Sequence, residues 1–413
     1  MNILFIHQNF PGQFKHLAPE LANKGHNVSA LFPKRDVPSS WRGVSLKLYN
    51  IDRGNSDAIH PLMLDLESKI IRAEACFKAA IELAQDGYQP DIIIAHPGWG
   101  ESLFLKQVWP KAKLGIYCEF YYRTEGADVG FDKEFEKEDL SDLARVQLKN
   151  ANILMQAQQA DSAITPTNWQ ASMFPRHLRE KITVAHDGID TRAVAPNPSV
   201  GIGLPNGKSI TRSDRVITFV SRSLEPYRGF HIFMRSLGEI LEAQPDVEIL
   251  IVGDDEVSYG ASPSNGRSWK EIFSDEVIPK MSEQQKSRLH FLGRIPYEKY
   301  LAILQVSSVH VYLTYPFVLS WSLLEAMSVG CAIVASDTTP LHEVIEDNVT
   351  GKLVNFFSPN ELAIKVNALI ENPKERARLG LAAREFAKTN YDLHDICLPR
   401  QMSWVEELSK GEN

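Results

Sequence analysis

Two arginines stand six residues apart in Ser221-Arg-Ser-Leu-Glu-Pro-Tyr-Arg-Gly-Phe230, directly after an apolar run that ends at Val220. A strand-to-helix turn there sets Arg222 and Arg228 at the carboxyl edge of a sheet, where two guanidinium forks can grip a diphosphate. Gly229 relaxes the backbone where the next helix begins. Two solvated loop arginines fit the same residues. A second constellation, Tyr315-Pro-Phe-Val-Leu-Ser-Trp-Ser-Leu-Leu-Glu-Ala-Met327, also lies just past an apolar run. A helix starting near Ser320 would aim its free N–H groups, in the stretch that holds Ser322 and Leu323, and the positive end of its dipole at a phosphate. Glu325, about one turn in, can accept two hydrogen bonds from ribose hydroxyls. Ser322-Leu-Leu-Glu325 equally fits a capping box, in which Glu325 serves only its own helix.

A third group follows the first apolar run, in Asn9-Phe-Pro-Gly-Gln-Phe14. Gly12 permits close backbone approach to a ligand, or simply a tight turn. Polar residues also gather after two later runs, in His96-Pro-Gly-Trp-Gly-Glu101 and Glu119-Phe-Tyr-Tyr-Arg123. His96 and Glu119 are candidates for binding an acceptor or handling its proton. A carboxylate inside the apolar stretch around Cys118 needs a partner, which Arg123 or a ligand can supply; a purely structural ion pair is the other reading. The acidic string from Asp132 to Asp142 reads as a solvated helical face or a mobile loop. No clustered carboxylates or cysteines mark a metal site, and Asp254-Asp255 after Gly253 reads as a strand end. A Walker loop and a G-x-S-x-G elbow are also missing, which argues against an ATPase and an α/β-hydrolase.

These groups need a scaffold, and the hydrophobic pattern supplies one. Short apolar runs alternating with amphipathic stretches predict parallel sheets covered by helices. In the first half, strands are expected over 2–7, 26–32, 91–96, 114–120, 161–165 and 182–185, with helices over 13–24 and 64–86. A Pro-, Gly- and Ser-containing stretch from Ala193 to Ser213 reads as a linker. The pattern then restarts, with strands over 216–220, 247–252, 288–292, 309–313 and 332–335. Ser358-Pro-Asn-Glu361 fits a capping box opening a helix toward Ile370. The expected organisation is an α/β chain with a Rossmann-like domain over 1–192, the linker over 193–213, and a second Rossmann-like domain over 214–395. A last helix within 396–413 would cross back to the first domain, and a ligand cleft would lie between the two.

At 413 residues the chain exceeds what one core usually supports, which agrees with two domains. A net charge of −8 argues against a broad nucleic-acid surface while leaving room for a local basic pocket. The four cysteines are far apart in sequence and form no C-x-x-C pair, as expected of reduced, packed thiols. No secretory leader or membrane-spanning run is read, so a cytoplasmic location is expected, compatible with peripheral contact at the inner membrane face.

Taken in order, these stretches resemble family 4 of the retaining glycosyltransferases, which have the GT-B fold. The resemblance rests on Val220 to Gly229, Ile251-Val-Gly253, Phe291-Leu-Gly-Arg294, Leu324-Glu-Ala-Met327, Gly330, Ala335-Ser-Asp337 and Glu343 to Leu353. Lys24-Gly-His-Asn-Val28 and Ala185-His-Asp-Gly-Ile-Asp190 match in the first half. It implies metal-independent transfer from a nucleotide-diphosphate sugar, with no other cofactor, to a carbohydrate or lipid-linked hydroxyl in polysaccharide, glycolipid or glycoconjugate assembly. It puts the diphosphate on Arg222 and Arg228, the latter usually lysine in the family, and the ribose on Glu325, the second glutamate of an E-x7-E motif. Gly253 and Arg294 would wall the nucleotide pocket, with Gly12, Ser320, Ser322 and Leu323 in the donor set. His96, Glu119 and Arg123 would face the acceptor, and Glu119 joins the two arginines as the catalytic set. One departure stands out: the first glutamate of E-x7-E falls at Phe317, and flanking glycines are replaced by Val318 and Ser320. The histidine often found at the end of a mid-domain strand is also replaced, with Glu119 as its stand-in. A nucleotide-sugar epimerase and a non-catalytic nucleotide-sugar or glycan binder are the rival readings.

Overall fold

Runs such as Ile3–Ile6 and Ile92–Ala95 are apolar on both faces, and a strand of that kind is stable only when both faces of its sheet are covered. The computed structural model, which describes residues 1–135, 140–264 and 266–410, shows two such sheets. The chain divides into two units. Unit 1 holds Met1–Val129, Glu136–Gly188 and His394–Asn413; unit 2 holds Gly130–Phe135 and Ile189–Leu393.

Unit 1 contains an eight-stranded sheet built from β1 (Asn2–Ile6), β2 (Asn27–Pro33), β3 (Ser40–Trp41), β4 (Val44–Tyr49), β5 (Ile92–Ala95), β6 (Lys113–Tyr117), β7 (Ser162–Thr165) and β8 (Ile182–Val184). The spatial order is β3-β4-β2-β1-β5-β6-β7-β8, parallel except for the β3–β4 pair. The order reverses direction between β1 and β5, so the loops after these two strands diverge and leave a crevice at their carboxyl ends. The helix Leu398–Lys410 belongs to this unit: Trp404, Val405 and Leu408 are buried in its core, and Trp404 Nε1 donates to Ser162 Oγ at 2.9 Å.

The first strands of unit 2 form a hairpin of β9 (Gly201–Gly203) and β10 (Ser209–Thr211). The stretch 193–213, expected as a linker, therefore carries structure. Val194, Val200, Leu204 and Ile210 are buried in the unit's own core, an anchoring that glycine, proline and serine content hides. The main sheet joins β11 (Val216–Ser223), β12 (Glu248–Asp254), β13 (Leu289–Gly293), β14 (Val309–Tyr312), β15 (Ala332–Ser336) and β16 (Lys352–Val354) in the order β13-β12-β11-β14-β15-β16, all parallel. Counted from its first strand this is 3-2-1-4-5-6, the doubly wound order, with the switch point between β11 and β14. Alternate residues feed opposite cores: Ile217, Phe219, Ile249 and Ile251 pack on one face, Val216, Val220, Leu250 and Val252 on the other.

The helix opened by Ser358 is Pro359–Glu371, with Ser358 Oγ accepting from Glu361 N–H at 3.2 Å. The expected box is only half made, because the Glu361 carboxylate accepts from Asn355 N–H instead. The helix expected over 13–24 opens as a 3-10 turn, Gly12–Phe14, before the α-helix Leu17–Asn23. Among the described residues no helix is long and apolar enough to cross a membrane.

Candidate active site

In unit 2 the residues singled out from sequence lie at the ends of the central strands and on the turns and helix that follow them. After β11 the chain makes a 3-10 turn, Pro226–Arg228, closed by Gly229 at φ +66°. A Cβ at Gly229 would sit 2.4 Å from that of Leu313, so backbone conformation and space both require glycine. The turn directs Arg228 inward. Its Nη1 donates to Thr314 Oγ1 at 2.8 Å, Tyr312 Oη at 3.1 Å and the Val318 carbonyl at 3.3 Å, and the guanidinium lies 5.2 Å from the Tyr259 ring. Arg222, at the end of β11, is exposed and has no ion-pair or hydrogen-bond partner among the described residues. The expected pair is thus split into a buried brace and an open cation.

Ser320 caps the helix Trp321–Ser328. Its Oγ accepts from Ser322 N–H at 3.3 Å, and its own N–H donates to Tyr312 Oη at 3.1 Å. Leu323 N–H is bonded to the Ser320 carbonyl, while the Leu323 side chain is core. Arg228 and the helix start therefore meet on one hydroxyl, that of Tyr312. Glu325 is 8% exposed and does not close the capping box with Ser322. Its oxygens accept from two phenols of the helix Tyr297–Val306: Tyr297 Oη to Oε1 at 2.8 Å and Tyr300 Oη to Oε2 at 2.6 Å. The Ser322 hydroxyl pairs with Ser320 Oγ instead. Gly253 closes β12 under Leu224, and Arg294 is an exposed side chain only 4.0 Å from Asp254 at its nearest. Phe317 packs edge-on against Tyr227 and Tyr259, with ring centroids at 5.5 and 5.0 Å.

Sequence reasoning passed over Glu225. Fully buried, it accepts from the N–H groups of Ser258, Tyr259 and Gly260 at 3.2–3.3 Å, while burial pushes its carboxyl above the ordinary range. The acidic string also departs from expectation. Residues 136–139 lie outside the described residues, but Asp132 is buried and Glu134 is ion-paired with Arg235 at 2.6 Å. Solvation does not describe Asp132, because the flanking Phe131 and Phe135 pack against the aromatic core and carry it inside, whereas Glu134 stays exposed. Asp132, Glu134 and His231 offer ligand atoms within 4.8 Å of one another, although both Glu134 oxygens already accept from Arg235.

In unit 1 three strand ends converge. His7 follows β1, His96 follows β5 and Glu119 follows β6. His7 Nδ1 accepts from Asn9 N–H at 2.9 Å, so its proton is on Nε2, which donates to Gln13 Oε1 at 2.7 Å. That orients the amide, and Gln13 Nε2 donates to Glu119 Oε1 at 2.8 Å. His96 repeats the pattern: Nδ1 accepts from Gly98 N–H at 3.2 Å and Nε2 faces Glu119 Oε2 at 3.3 Å. Burial drives the His7 pKa down to about 3, keeping that ring neutral. Burial acts to raise the Glu119 carboxyl, but the bond from Gln13 and the His96 ring beside it outweigh burial and leave it below the ordinary range. Gly12 (φ +49°) crosses the His7 ring so closely that a Cβ would lie 2.4 Å from the imidazole; it gives room to His7.

Arg123 does not partner Glu119. It donates through Nε to the Met173 carbonyl at 2.9 Å and through Nη2 to that of Ser172 at 3.0 Å, the open end of the helix Asn168–Met173, where carbonyls without helical partners attract a cation.

Residues 24–194 match the family model described as glycosyl transferase family 4 group, and 206–386 match that of glycosyl transferases group 1. The chain belongs to the family 4, GT-B glycosyltransferases. An uncharacterized glycosyltransferase of Methanocaldococcus jannaschii is 37% identical over 105 residues, 25% of this chain and 27% of that protein. The phosphatidyl-myo-inositol mannosyltransferase of Mycolicibacterium smegmatis is 27% identical over 202 residues, 48% and 45% of the two chains. The chain thus spans less than half the length of either relative. Among solved structures, sucrose-phosphate synthase of Thermosynechococcus elongatus superposes with a TM-score of 0.72 at 17% identity, covering 98% of each chain. HepE of Anabaena in complex with UDP and glucose gives 0.66 at 16%, covering 99% of this chain and 100% of that one.

Within this family-4 chain the missed residues share one property. His7, Gln13, Glu225, Tyr297 and Tyr300 act on a partner outside their own motif. The only local signal for the first two is that they flank Gly12 in the first loop.

Proposed function

We propose that this chain is a retaining, metal-independent glycosyltransferase that moves a sugar from a nucleotide-diphosphate donor to a hydroxyl acceptor. The observation that carries the reading is the meeting of the Arg228 turn and the Ser320 helix start on Tyr312, at the switch point of a 3-2-1-4-5-6 sheet. There, the helix dipole and the open cation of Arg222 favour a diphosphate. The fold likeness to HepE, a protein seen with UDP and glucose, is consistent with such a donor.

In this reading unit 2 holds the donor and unit 1 the acceptor. The bond between the sugar's anomeric carbon and the diphosphate oxygen breaks, and the diphosphate leaves with the electron pair. Arg222 and the helix start stabilise the growing charge, while Arg228 keeps the loop that carries them in register. The acceptor oxygen bonds to the same carbon face, and its proton passes to the departing diphosphate. Glu119, held ionised by His96 and Gln13, accepts a hydrogen bond from an acceptor hydroxyl and orients it. Acceptors in polysaccharide, glycolipid or glycoconjugate assembly fit these groups, with peripheral membrane contact where the acceptor is lipid-linked.

A thermal-shift screen with UDP, GDP, ADP and their sugars tests the donor. A ligand at about 100 times its Kd adds about 2.7 kcal/mol of stability. A shift with one diphosphate series, and transfer with net retention that persists in EDTA, is the expected result. No shift with any of them overturns the reading, and transfer restored only by added manganese or magnesium overturns its metal independence.

A further inference from the structure

Gly130–Phe135 is a short segment of unit 2, separated in sequence from the rest of that unit and tied down through Phe131, Asp132 and Phe135. The Phe131 ring lies 5.1, 5.2 and 5.0 Å from Tyr315, Phe356 and Phe357. Phe135 lies 5.0 Å from both His231 and Trp269. Between them is Asp132, 6% exposed. Its Oδ1 accepts from Glu134 N–H at 3.1 Å, its Oδ2 accepts from Tyr315 Oη at 2.9 Å, and His231 Nε2 stands 3.1 Å from the same oxygen.

A carboxylate in an aromatic shell carries a desolvation penalty that an apolar residue of similar size would avoid, so its orientation calls for a reason beyond packing. Its target supplies one. Tyr315 lies in the loop that runs from β14 to the Ser320 cap. Its N–H bonds the Tyr227 carbonyl at 3.0 Å, and its ring lies 4.7 Å from that of Tyr227, the residue before Arg228. Thr314, one residue earlier, and Val318, three later, are the acceptors that Arg228 grips. Tyr315 is thus the only residue of this loop whose side chain is bonded to Asp132 among the described residues, and it sits where both halves of the candidate diphosphate site meet.

We propose that Asp132 is a positioning residue for the Tyr315–Ser320 loop, fixing through the Tyr315 hydroxyl the geometry with which the Arg228 turn and the Ser320 helix start receive a donor diphosphate. The assignment rests on the functional reading above, and it adds a residue from outside both sequence motifs. The His231 ring flanks the carboxylate on the other side, and Phe131 and Phe135 exclude water from the bond.

The test compares the parent with Asp132→Ala, Asp132→Asn, Tyr315→Phe and the Asp132→Ala/Tyr315→Phe double variant. UDP and uridine are the titrants, and amide hydrogen exchange is followed across 315–323. Expected is a rise of about fivefold or more in the UDP Kd for Asp132→Ala, with uridine binding changed by less than about twofold. Asp132→Asn, which keeps an oxygen to accept from Tyr315, recovers part of the loss. The double variant is no worse than Asp132→Ala alone, and exchange at Tyr315 and Ser320 quickens in each variant lacking the bond. Lowered melting temperatures with unchanged exchange, unchanged UDP-to-uridine discrimination and additive effects would overturn the proposal. The exchange arm needs no donor: a parent that binds no nucleoside diphosphate refutes the functional reading, while exchange still decides whether Asp132 holds the loop.

Discussion

Gln13 Nε2 donates to Glu119 Oε1 across 2.8 Å, joining two residues 106 positions apart. The bond has a definite direction because His7 imposes it: with Nδ1 occupied by Asn9 N–H, only Nε2–H can face the amide oxygen of Gln13. Glu119 is therefore an oriented acceptor, with each oxygen facing one donor and its outer face 36% exposed.

Removing the relay at Gln13 should therefore act on the acceptor. Gln13→Leu leaves one Glu119 oxygen without its donor and His7 Nε2–H without its acceptor. A charge-assisted bond of this kind contributes roughly 1.5–3 kcal/mol, so kcat/KM for the acceptor should fall about tenfold or more while the Kd for a nucleoside diphosphate stays unchanged. Steady-state kinetics over both substrates decides it; a loss confined to donor binding would assign the cluster to the other substrate.

Arg222 and Arg228 should separate in mutation although the sequence pairs them. Arg222→Ala removes an exposed cation and should leave the melting temperature nearly unchanged, while weakening diphosphate binding about tenfold relative to nucleoside binding. Arg228→Ala strips a donor from Thr314, Tyr312 and Val318 at once. It should weaken diphosphate binding and also cost about 1–3 kcal/mol of stability from buried groups left unsatisfied. Equal melting curves for the two variants would contradict the brace.

Glu101 gives a prediction independent of function. It is 1% exposed, Tyr49 Oη donates to it at 3.4 Å, and burial raises its pKa to about 7. The unfolded chain ionises this group near the ordinary 4.5, so between about pH 4.5 and 7 the folded state holds the extra proton and stability falls as pH rises. Above pH 7 the penalty is complete, and below 4.5 it is absent. Glu101→Gln removes the charge and keeps an acceptor for Tyr49. Its stability relative to the parent should therefore improve from pH 5 to pH 8, by up to about 3 kcal/mol. Parallel stability curves for the two proteins would refute the assignment.

How much of this was legible in the sequence depended on the distance over which each group acts. The strands after which Arg222, Arg228 and the Ser320 helix begin were readable because apolar runs are local, and so was the doubly wound class. Val44–Tyr49 escaped because its half-buried Ser45, Leu46 and Lys47 weaken the run near the sheet's edge. The partners of the site residues were not readable. Glu325 is bonded to a different helix, Glu119 to the first loop, and the Asp132 carboxylate, within an acidic string, faces Tyr315 nearly two hundred residues on. Local charge predicts solvation, and only the aromatic residues on either side of Asp132 could have signalled burial.

Glu325 is where the competing readings part most sharply, and the structure changes what each expects. As a capping residue it would accept a bond from Ser322 N–H, but that N–H goes to Ser320 Oγ. Glu325→Gln should therefore leave helix capping intact. Tyr300 is half-buried against the core, whereas Tyr297 is 53% exposed and can yield its place to a ligand hydroxyl. If Glu325 binds ribose, Glu325→Gln should weaken nucleotide binding by roughly threefold to tenfold, because a charge-assisted bond is about twice as strong as a neutral one. Tyr297→Phe should change affinity little or improve it, since it removes the ligand's competitor. Tyr300→Phe should weaken binding, since it frees the carboxylate to turn. A 2′,3′-dideoxy nucleotide should lose these distinctions and bind all four proteins about equally. Titrations of both nucleotides against the four proteins read out the pattern. Equal effects of the three substitutions on the ribo- and dideoxy-nucleotides would mean that Glu325 holds the two helices together and touches no ribose.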